Sequence, residues 1–538
     1  MKSFHTVKVE ELKKYLLPLR LSNASEDARR SAYDPLFAAI GDCPVVMIGE
    51  ASHGTKEFYH ERAELTKRLI QEKGFRSVVV EADWPDAYRA NKWCAALGGE
   101  EPSGSRRGSK DKTAEESLRA FARFPSWMWR NTEMVEFLEW LRQHNAAVED
   151  PLDKVGLYGM DMYSLVTSAH EVLRFLDKTD SKAALEARNL YSCFMQYGED
   201  TRSYGRAAAA GLSKGCRQNC LKVLMDLKSK SDEYLARDGF AAEDELFYAT
   251  TNAEVVKGAE SYYRNMMKGG PNSWNLRDSH MVNTILNLHK HRSRHNRQSK
   301  LIVWAHNSHL GDARATSMGQ QRGKHNVGQL LRERLGMENT FNIGLTTNTG
   351  TVTAASSWNG PWKMKKVNPG RADSYEGLFH CIAEETKEPN FMFVFNEVVP
   401  PSAEPGQSAL MSCCVQGKHR RKQAICQELN QYLGVPMMER YIGVIYRPES
   451  ELASHYARSI LSAQYDAVIH LDETSALPPR WTESRTIPAG RKKISPRPIR
   501  LANKSTEHQV GIFFRSPRDQ RNSAESSAKF RASSLIVT

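Results

Sequence analysis

The chain has 538 residues, of which 40% are hydrophobic and 26% are charged. This length is enough to bury a large core, and it excludes peptides and disulfide-stapled mini-proteins. The formal net charge is +12, but 13 Lys and Arg against 4 Asp and Glu lie between Arg480 and Thr538. Because the basic charge is concentrated in this tail, the body is close to neutral. We therefore expect no nucleic-acid partner.

The nine cysteines form no pattern typical of a disulfide framework. Cys216 and Cys220 are four residues apart, without a second pair at the spacing of a zinc ribbon. Unpaired thiols in a reducing compartment are the favoured interpretation. Residues 1–18 lack the continuous apolar segment of a signal peptide, and no apolar run is long enough to span a membrane. We expect a cytoplasmic protein with no membrane association.

Short apolar runs rich in β-branched residues alternate with longer segments of helical period. Runs that are apolar on both sides are typical of strands covered by helices on both faces. A long segment at about 164–295, with almost no proline, indicates several packed helices. The predicted fold is α/β, with a mostly parallel sheet core flanked by helices and a large helical subdomain. The predicted strands are 45–48, 77–80, 155–158, 301–304, 341–344, 391–395, 441–445 and 466–469.

The same pattern divides the chain into an N-terminal extension (1–24), a body (25–475) and a basic tail (476–538). The tail combines high charge with low apolar content, so we expect it to be disordered. Within the body, 98–112 is a charged loop rich in Gly and Ser. Residues 400–422 combine paired prolines with a basic cluster, which indicates an exposed insertion.

Several common catalytic signatures are absent from the sequence: it has no His-Glu-x-x-His motif, P-loop or dinucleotide-binding glycine pattern. Ionisable residues instead follow the first four predicted strands. In open α/β sheets, ligands bind at the carboxyl ends of the strands, so these side chains could meet in one cleft. Taken singly, each could also be a helix cap or a solvated strand end. In strand order they are Glu50 and His53, Glu81 and Asp83, Asp161, and His306 and His309.

A carboxylate beside an imidazole can hold the ring in one tautomer and raise its basicity, so that it accepts a proton from water. The same Glu and His residues could also bind a divalent metal, although spacing favours a proton-transfer site. Arg62, nine residues after His53, is either a solvated helix charge or a buried cation facing the cleft. Downstream, Arg277 and His280 share one helix face close to Trp274.

Several of these segments together resemble the erythromycin esterase family. They are GEASHGT at 49–55, EADWP at 81–85, FPSWMWRN at 124–131, GMDMYS at 159–164, SWNLRDSHM at 273–281, WAHNSHLGDAR at 304–314, NVGQLLR at 326–332 and IGVIYRP at 442–448. The matches occur in order over most of the body.

The resemblance implies a hydrolase that opens an ester or a macrolide-like lactone with water, without a covalent acyl-enzyme. The catalytic residues it implies are His53 as general base, with Glu50, Glu81, Arg62, His306 and His309. We assign substrate binding to Asp161, Trp274, Arg277 and His280. We expect no metal or other cofactor and a small-molecule ester or lactone as partner. Two alternatives remain open: a metal-dependent hydrolase using the same residues, and a non-catalytic ligand-binding protein.

Overall fold

The computed structural model describes residues 4–19, 25–95, 109–212, 215–238, 240–267, 271–295, 297–395 and 427–480. These residues fall within one compact unit. The predicted 400–422 insertion, most of the 98–112 loop and the tail beyond residue 480 lie outside the described residues.

In the described residues, a nine-stranded sheet forms the centre of the fold, in the order β1-β8-β11-β6-β2-β5-β3-β4, with β7 paired to β6. The six strands from β11 to β4 run parallel, and β1, β7 and β8 pair antiparallel with their neighbours. Strands β9 and β10 form a separate antiparallel pair. The strands are β1 Leu17–Pro18, β2 Val45–Ile48, β3 Ser77–Asp83, β4 Gly156–Asp161, β5 Leu301–Trp304, β6 Thr340–Ala355, β7 Trp362–Val367, β8 Asn390–Val394, β9 Met437–Arg440, β10 Tyr456–Ser459 and β11 Ala467–Thr474.

Helices cover the sheet and form a separate helical part between β4 and β5. They are α1 Phe4–Leu12, α2 Glu26–Ala32, α3 Asp34–Ile40, α4 Lys56–Lys73, α5 Trp84–Ala95, α6 Ala114–Leu118, α7 Thr132–Ala146, α8 Leu165–Thr179, α9 Ser181–Met195, α10 Thr201–Ala209, α11 Cys216–Ser229, α12 Ser231–Asp238, α13 Phe240–Met266, α14 Asn272–Arg292, α15 Asn307–Leu310, α16 Ser317–Arg322, α17 Val327–Leu335, α18 Tyr375–Thr386, α19 Gln427–Leu433, α20 Glu451–Ser454 and α21 Leu461–Gln464. Short 3-10 turns lie at Lys13–Tyr15, Ser126–Met128, Ala313–Ala315, Met337–Asn339 and Pro448–Ser450.

The apolar strands lie in the core, as their composition predicts. In β2 and β5 every residue is buried, and one sheet face packs against Met281 and Ile285 of α14. Burial on both faces explains why these strands read as continuous apolar runs instead of alternating ones. The predicted α/β fold with a mostly parallel sheet is confirmed.

The helical part, α8 to α14, has its own hydrophobic core, in which Leu176, Tyr191 and Val256 are buried. The predicted helical subdomain is therefore present. The expectation of unpaired thiols is wrong for one pair, because Cys193 of α9 and Cys216 of α11 form a disulfide. These residues are 23 apart in sequence and meet only when the two helices pack side by side, which spacing could not reveal.

The predicted strand at 441–445 is incorrect, because the regular strand there is β9, which ends at Arg440. The segment after β9 instead bonds to the loop that follows β2. The Ile442 N–H donates to the Ala51 carbonyl over 2.8 Å, and the His53 N–H donates to the Ile442 carbonyl over 3.3 Å. The Ile442 side chain packs against Val352 and Val367 of β6 and β7, so the segment has the apolar composition of a strand without forming a regular one.

The packed chain also continues beyond the predicted boundary at residue 475. The Leu477 side chain is buried, and its N–H donates to the Gly54 carbonyl over 2.8 Å. Ser475 donates to Glu57 through both its N–H and its hydroxyl. The charge change near Arg480 marks the end of the described body better than the loss of strand periodicity does. Among the described residues, no helix is long and apolar enough to cross a membrane.

Candidate active site

Four adjacent parallel strands bring the predicted polar residues to one edge of the sheet. Because β2, β5, β3 and β4 are neighbours and point the same way, their carboxyl ends lie side by side. We call the polar side chains that meet there the strand-end cluster. Its members are Glu50, His53, Arg62, Glu81, Asp161, Arg277, Asp278, His306 and His309, and all are at least nine-tenths buried.

The loop after β2 is held close to the sheet by two glycines. A Cβ atom at Gly49 would lie 2.1 Å from the Asn307 side-chain oxygen, and one at Gly54 would lie 1.9 Å from the Thr353 carbonyl oxygen. Neither position has room for a side chain, and at Gly54 the obstacle is backbone. The glycines of the GEASHG motif therefore let the loop lie deep enough to aim Glu50 and His53 into the cluster.

Glu50 contacts a base on one side and a cation on the other. Its Oε1 lies 2.9 Å from His53 Nδ1, and its Oε2 lies 2.8 Å from Arg62 Nη2. The Arg62 guanidinium also lies over the rings of Tyr59 and Trp304. Of the two alternatives for Arg62, the structure therefore shows the buried cation. A carboxylate at Nδ1 leaves His53 Nε2 as the ring nitrogen that can accept a proton.

Arg277 forms ion pairs with acidic residues of both β3 and β4. Its Nε and Nη2 donate to the two Asp161 carboxylate oxygens over 3.0 and 2.8 Å, and Nη2 also donates to Glu81 over 2.6 Å. Burial alone would raise the pKa of Glu81, but the Arg277 guanidinium, which donates to this carboxylate, holds it well below its usual range. Glu81 is therefore ionised at neutral pH. Asp161 and Arg277, assigned to substrate binding from sequence, pair with each other.

His309 lies against a second carboxylate, Asp278. Nδ1 of His309 is 2.8 Å from Asp278 Oδ2, and Nε2 is 3.0 Å from Arg277 Nη1. The ring of Trp274 stacks on that of His309, with centroids 4.4 Å apart and planes 6° from parallel. Trp274, another predicted substrate-binding residue, thus packs on a member of the strand-end cluster.

His306 contacts both Glu81 and His53 within the strand-end cluster. Its backbone N–H donates to Glu81 over 3.0 Å, and its ring centroid lies 4.8 Å from that of His53. Nε2 faces the Ala51 and Ile442 carbonyls, so it carries the proton, and Nδ1 accepts from Ser308. Burial and the neighbouring His53 hold the pKa of His306 well below its usual range. With both ring nitrogens bonded within the protein, His306 is a neutral link in the loop structure.

Two predicted residues lie apart from the main contacts of the cluster. His280 points toward Thr284 and the backbone of Gly258, and burial lowers the pKa of His280 to about 4. It does not share the contacts of Arg277, although both lie on α14. Asp83 pairs with Arg123, whose Nε donates to it over 2.8 Å.

Three residues that contribute to the site, Asp278, Arg123 and Tyr163, were not identified from the sequence. Asp278 is adjacent to Arg277 within the SWNLRDSHM segment, so its position in that motif was an available signal. Arg123 and Tyr163 gave no signal of this kind. The Arg123 and Arg277 guanidinium groups lie 4.5 and 5.0 Å from the centre of the Tyr163 ring, and only the fold brings these three together.

A large cavity opens beside this edge, with a volume of about 1380 Å³. Its walls include Asp83, Arg123 and Tyr163 on the side of the cluster, and Trp358 and Ile445 elsewhere. Tyr163 therefore contacts the cavity and also lies next to Arg277. The cavity reaches the strand-end cluster through Tyr163, although no member of the cluster itself lines its walls.

In the part of the chain that the structure describes, no three His, Cys, Asp or Glu side chains are arranged to hold a metal ion. The ring nitrogens of His306 and His309 face donors and acceptors of the protein itself.

Comparisons with known proteins identify the family and the fold of this chain. The model of the erythromycin esterase family matches residues 70–474. A curated relative, erythromycin esterase type II of Escherichia coli, is 21% identical over 346 residues, which cover 63% of this chain and 76% of that protein.

Solved structures show the same fold at low identity. A succinoglycan biosynthesis protein superposes with a TM-score of 0.64 at 17% identity, covering 89% of this chain and 99% of its own. A Bacillus cereus protein gives a TM-score of 0.67 at 17% identity, covering 89% and 100%. A mutant erythromycin esterase in its open conformation gives 0.55 at 15% identity, covering 83% and 94%. Since the family model spans most of the chain and includes the β3 to β11 core, this protein belongs to the erythromycin esterase family.

Proposed function

We propose that this protein hydrolyses a carboxylic ester or lactone by direct attack of water, with His53 as the general base. Family membership supports ester hydrolysis. The observation that carries the mechanism is the buried chain Arg62–Glu50–His53, with contacts of 2.8 and 2.9 Å. A base oriented by a carboxylate, which a cation holds in turn, is the arrangement expected for proton abstraction near neutral pH.

His53 suits the role of base better than the other two histidines of the cluster. Within the described residues, its Nε2 has no hydrogen-bond partner, whereas Nε2 of His306 faces two carbonyls and Nε2 of His309 faces Arg277. Among the three histidines of the cluster, His53 alone combines a carboxylate at Nδ1 with an uncommitted Nε2. It can therefore accept a proton without first breaking a bond to the protein.

In the proposed reaction, His53 Nε2 takes a proton from water as the water oxygen bonds to the acyl carbon. Glu50 stabilises the imidazolium that forms. The bond from the acyl carbon to the alkoxy oxygen then breaks, and the proton passes from His53 to that oxygen. The products are a carboxylic acid and an alcohol, which remain in one molecule when the substrate is a lactone.

The cavity supports a large substrate. Its volume of about 1380 Å³ exceeds the roughly 300–1,000 Å³ typical of small-molecule sites. The E. coli relative is named an erythromycin esterase, so macrocyclic lactones are the first substrates to test on this chain. The partner in this proposal is a small-molecule ester or lactone.

The test compares the wild type with His53→Ala on a panel of aryl esters, alkyl esters and macrocyclic lactones that includes erythromycin. We expect hydrolysis by the wild type and a loss of at least ~10²-fold in turnover for the variant, the lower range for general base catalysis. Mass spectra of acid-quenched enzyme should show no acyl adduct. Unchanged turnover in His53→Ala, or a covalent adduct, would contradict the mechanism.

A matched control is His470→Asn. His470 is also fully buried, but it bonds to Thr346 and Asp472 on β6 and β11, outside the cluster. We expect this variant to lose stability and to keep its turnover per folded molecule. If no substrate on the panel is hydrolysed while the protein still binds lactones, a ligand-binding function replaces this proposal.

A further inference from the structure

Asp278 is a buried acidic residue that the proposed reaction does not use directly. Its side chain is fully buried on α14, and its Oδ2 lies 2.8 Å from His309 Nδ1. The same oxygen accepts the Val327 backbone N–H over 3.2 Å. Since the Val327 amide can only donate, Oδ2 is held in place as an acceptor, and His309 is the donor in its bond to Asp278.

The hydrogen-bonding role of the other ring nitrogen of His309, Nε2, is also defined. Nη1 of Arg277 lies 3.0 Å from His309 Nε2, and a guanidinium can only donate. Nε2 is therefore the acceptor in this contact. The two contacts require the same tautomer, with the proton on Nδ1 and a lone pair on Nε2.

From these contacts we propose that Asp278 is a positioning residue, which fixes the Nδ1–H tautomer of His309 so that the ring orients Arg277 beside Glu81. This inference rests on the proposed function, because its effect on turnover passes through the same cluster. Asp278 itself does not contact the reacting atoms. It acts through a chain of three bonds: Asp278 to His309, His309 to Arg277, and Arg277 to Glu81.

Without an acceptor at Nδ1, the ring is free to carry its proton on Nε2. That proton would face Arg277 Nη1, so two donors would lie 3.0 Å apart, or it would turn toward Glu81 Oε1, 3.5 Å away. In the first case the two donors repel each other, and in the second the ring competes with Arg277 for Glu81 Oε1. Arg277 also bonds to Asp161, so a shift of its guanidinium would spread to the residue at the end of β4.

The experiment uses two substitutions that separate the acceptor from the rest of the side chain. Asp278→Asn keeps an oxygen that can accept from both His309 and Val327, whereas Asp278→Leu has a similar size and no acceptor. Ring ¹⁵N NMR of histidine-labelled protein, with His309 assigned through His309→Asn, reports which nitrogen carries the proton. Turnover is measured on the same preparations with the best ester from the substrate panel.

We expect Nδ1–H for His309 in the wild type and in Asp278→Asn, and Nε2–H or a mixture in Asp278→Leu. Turnover should fall by roughly tenfold or more in Asp278→Leu, the lower range for outer partners of functional histidines, and should be largely rescued in Asp278→Asn. An unchanged tautomer in Asp278→Leu would overturn the inference. Equal losses in the two variants would also overturn it, because charge and not the acceptor would then matter.

Asp466→Leu is the matched control. Asp466 is 5% exposed and bonds to Arg332 over 2.9 Å on the opposite side of β6 from β2. It should lower stability without changing the His309 tautomer or the turnover per folded molecule, and a matching loss in this control would contradict a specific role for Asp278. If the wild type hydrolyses nothing, the proposed function fails, while the NMR result still decides the tautomer.

Discussion

Arg62 and Glu50 form an ion pair of 2.8 Å in which both side chains are no more than 2% exposed. The pair links helix α4 to the loop after β2, and Glu50 uses its other oxygen to hold His53. A buried pair of this kind makes each partner depend on the other, because the loss of one leaves an uncompensated charge in the core.

We predict that Arg62→Met lowers both stability and turnover. Removal of one partner from a buried pair costs about 3–5 kcal/mol in the free energy of unfolding, measured here by urea denaturation. Turnover should fall by at least about tenfold, because Glu50 no longer has a cation that holds it in position against His53. The double variant Arg62→Met with Glu50→Gln should recover part of the stability and none of the turnover. Full turnover in Arg62→Met would show that the pair serves the fold alone.

A second prediction concerns Asp86, which lines the cavity on α5 next to Asp83. Burial and the neighbouring Asp83 raise the pKa of Asp86 to about 8. Between the unfolded pKa near 4 and the folded pKa of about 8, the folded state therefore keeps a proton that the unfolded state has released. The free energy of unfolding contributed by Asp86 falls as the pH rises through this range. We expect the free energy of unfolding of the wild type to fall between pH 5 and pH 8 more steeply than that of Asp86→Asn. Equal slopes in urea titrations at these two pH values would contradict the raised pKa.

A third prediction concerns metal ions. In the proposed mechanism His53 needs a free Nε2, and His306 and His309 already use their ring nitrogens within the protein. We predict that exhaustive chelation leaves turnover on a responsive ester within about twofold, since no metal-bound water is required. Metal content is measured on the same sample. Loss of activity that one divalent ion restores would favour the metal-dependent alternative.

The fourth prediction concerns the end of the body. Truncation after Arg480 should leave a soluble, active protein. Truncation after Thr474 should destabilise it, because it removes the buried Leu477 and the bonds from Ser475 to Glu57. Burial of one large apolar side chain contributes about 1.5–3 kcal/mol. Thermal unfolding of the two truncations checks this, and equal stability would place the boundary at residue 475, as the sequence pattern alone suggests.

Local features of the sequence were sufficient to predict most of the parallel sheet and the pairing of His53 with Glu50. The runs at 45–48 and 301–304 match β2 and β5 residue for residue, because a strand buried on both faces must be apolar throughout. Glu50 and His53 are three residues apart on one loop, so their pairing depends mainly on the local conformation of that loop. Residues that follow adjacent parallel strands also meet by topology, which brought Glu81 and Asp161 to the same edge.

Only the tertiary structure decided which side chains pair over long distances. Asp278 and His309 are 31 positions apart in the sequence, and Arg277 and Glu81 are 196 positions apart. The local sequence around each of these residues does not indicate which residue it pairs with. The apolar segment at 441–445 likewise bonds to the β2 loop and forms no regular strand. Sequence periodicity reports whether a residue is buried. The neighbour against which it is buried depends on how the helices and strands pack, and that packing is determined by the whole chain.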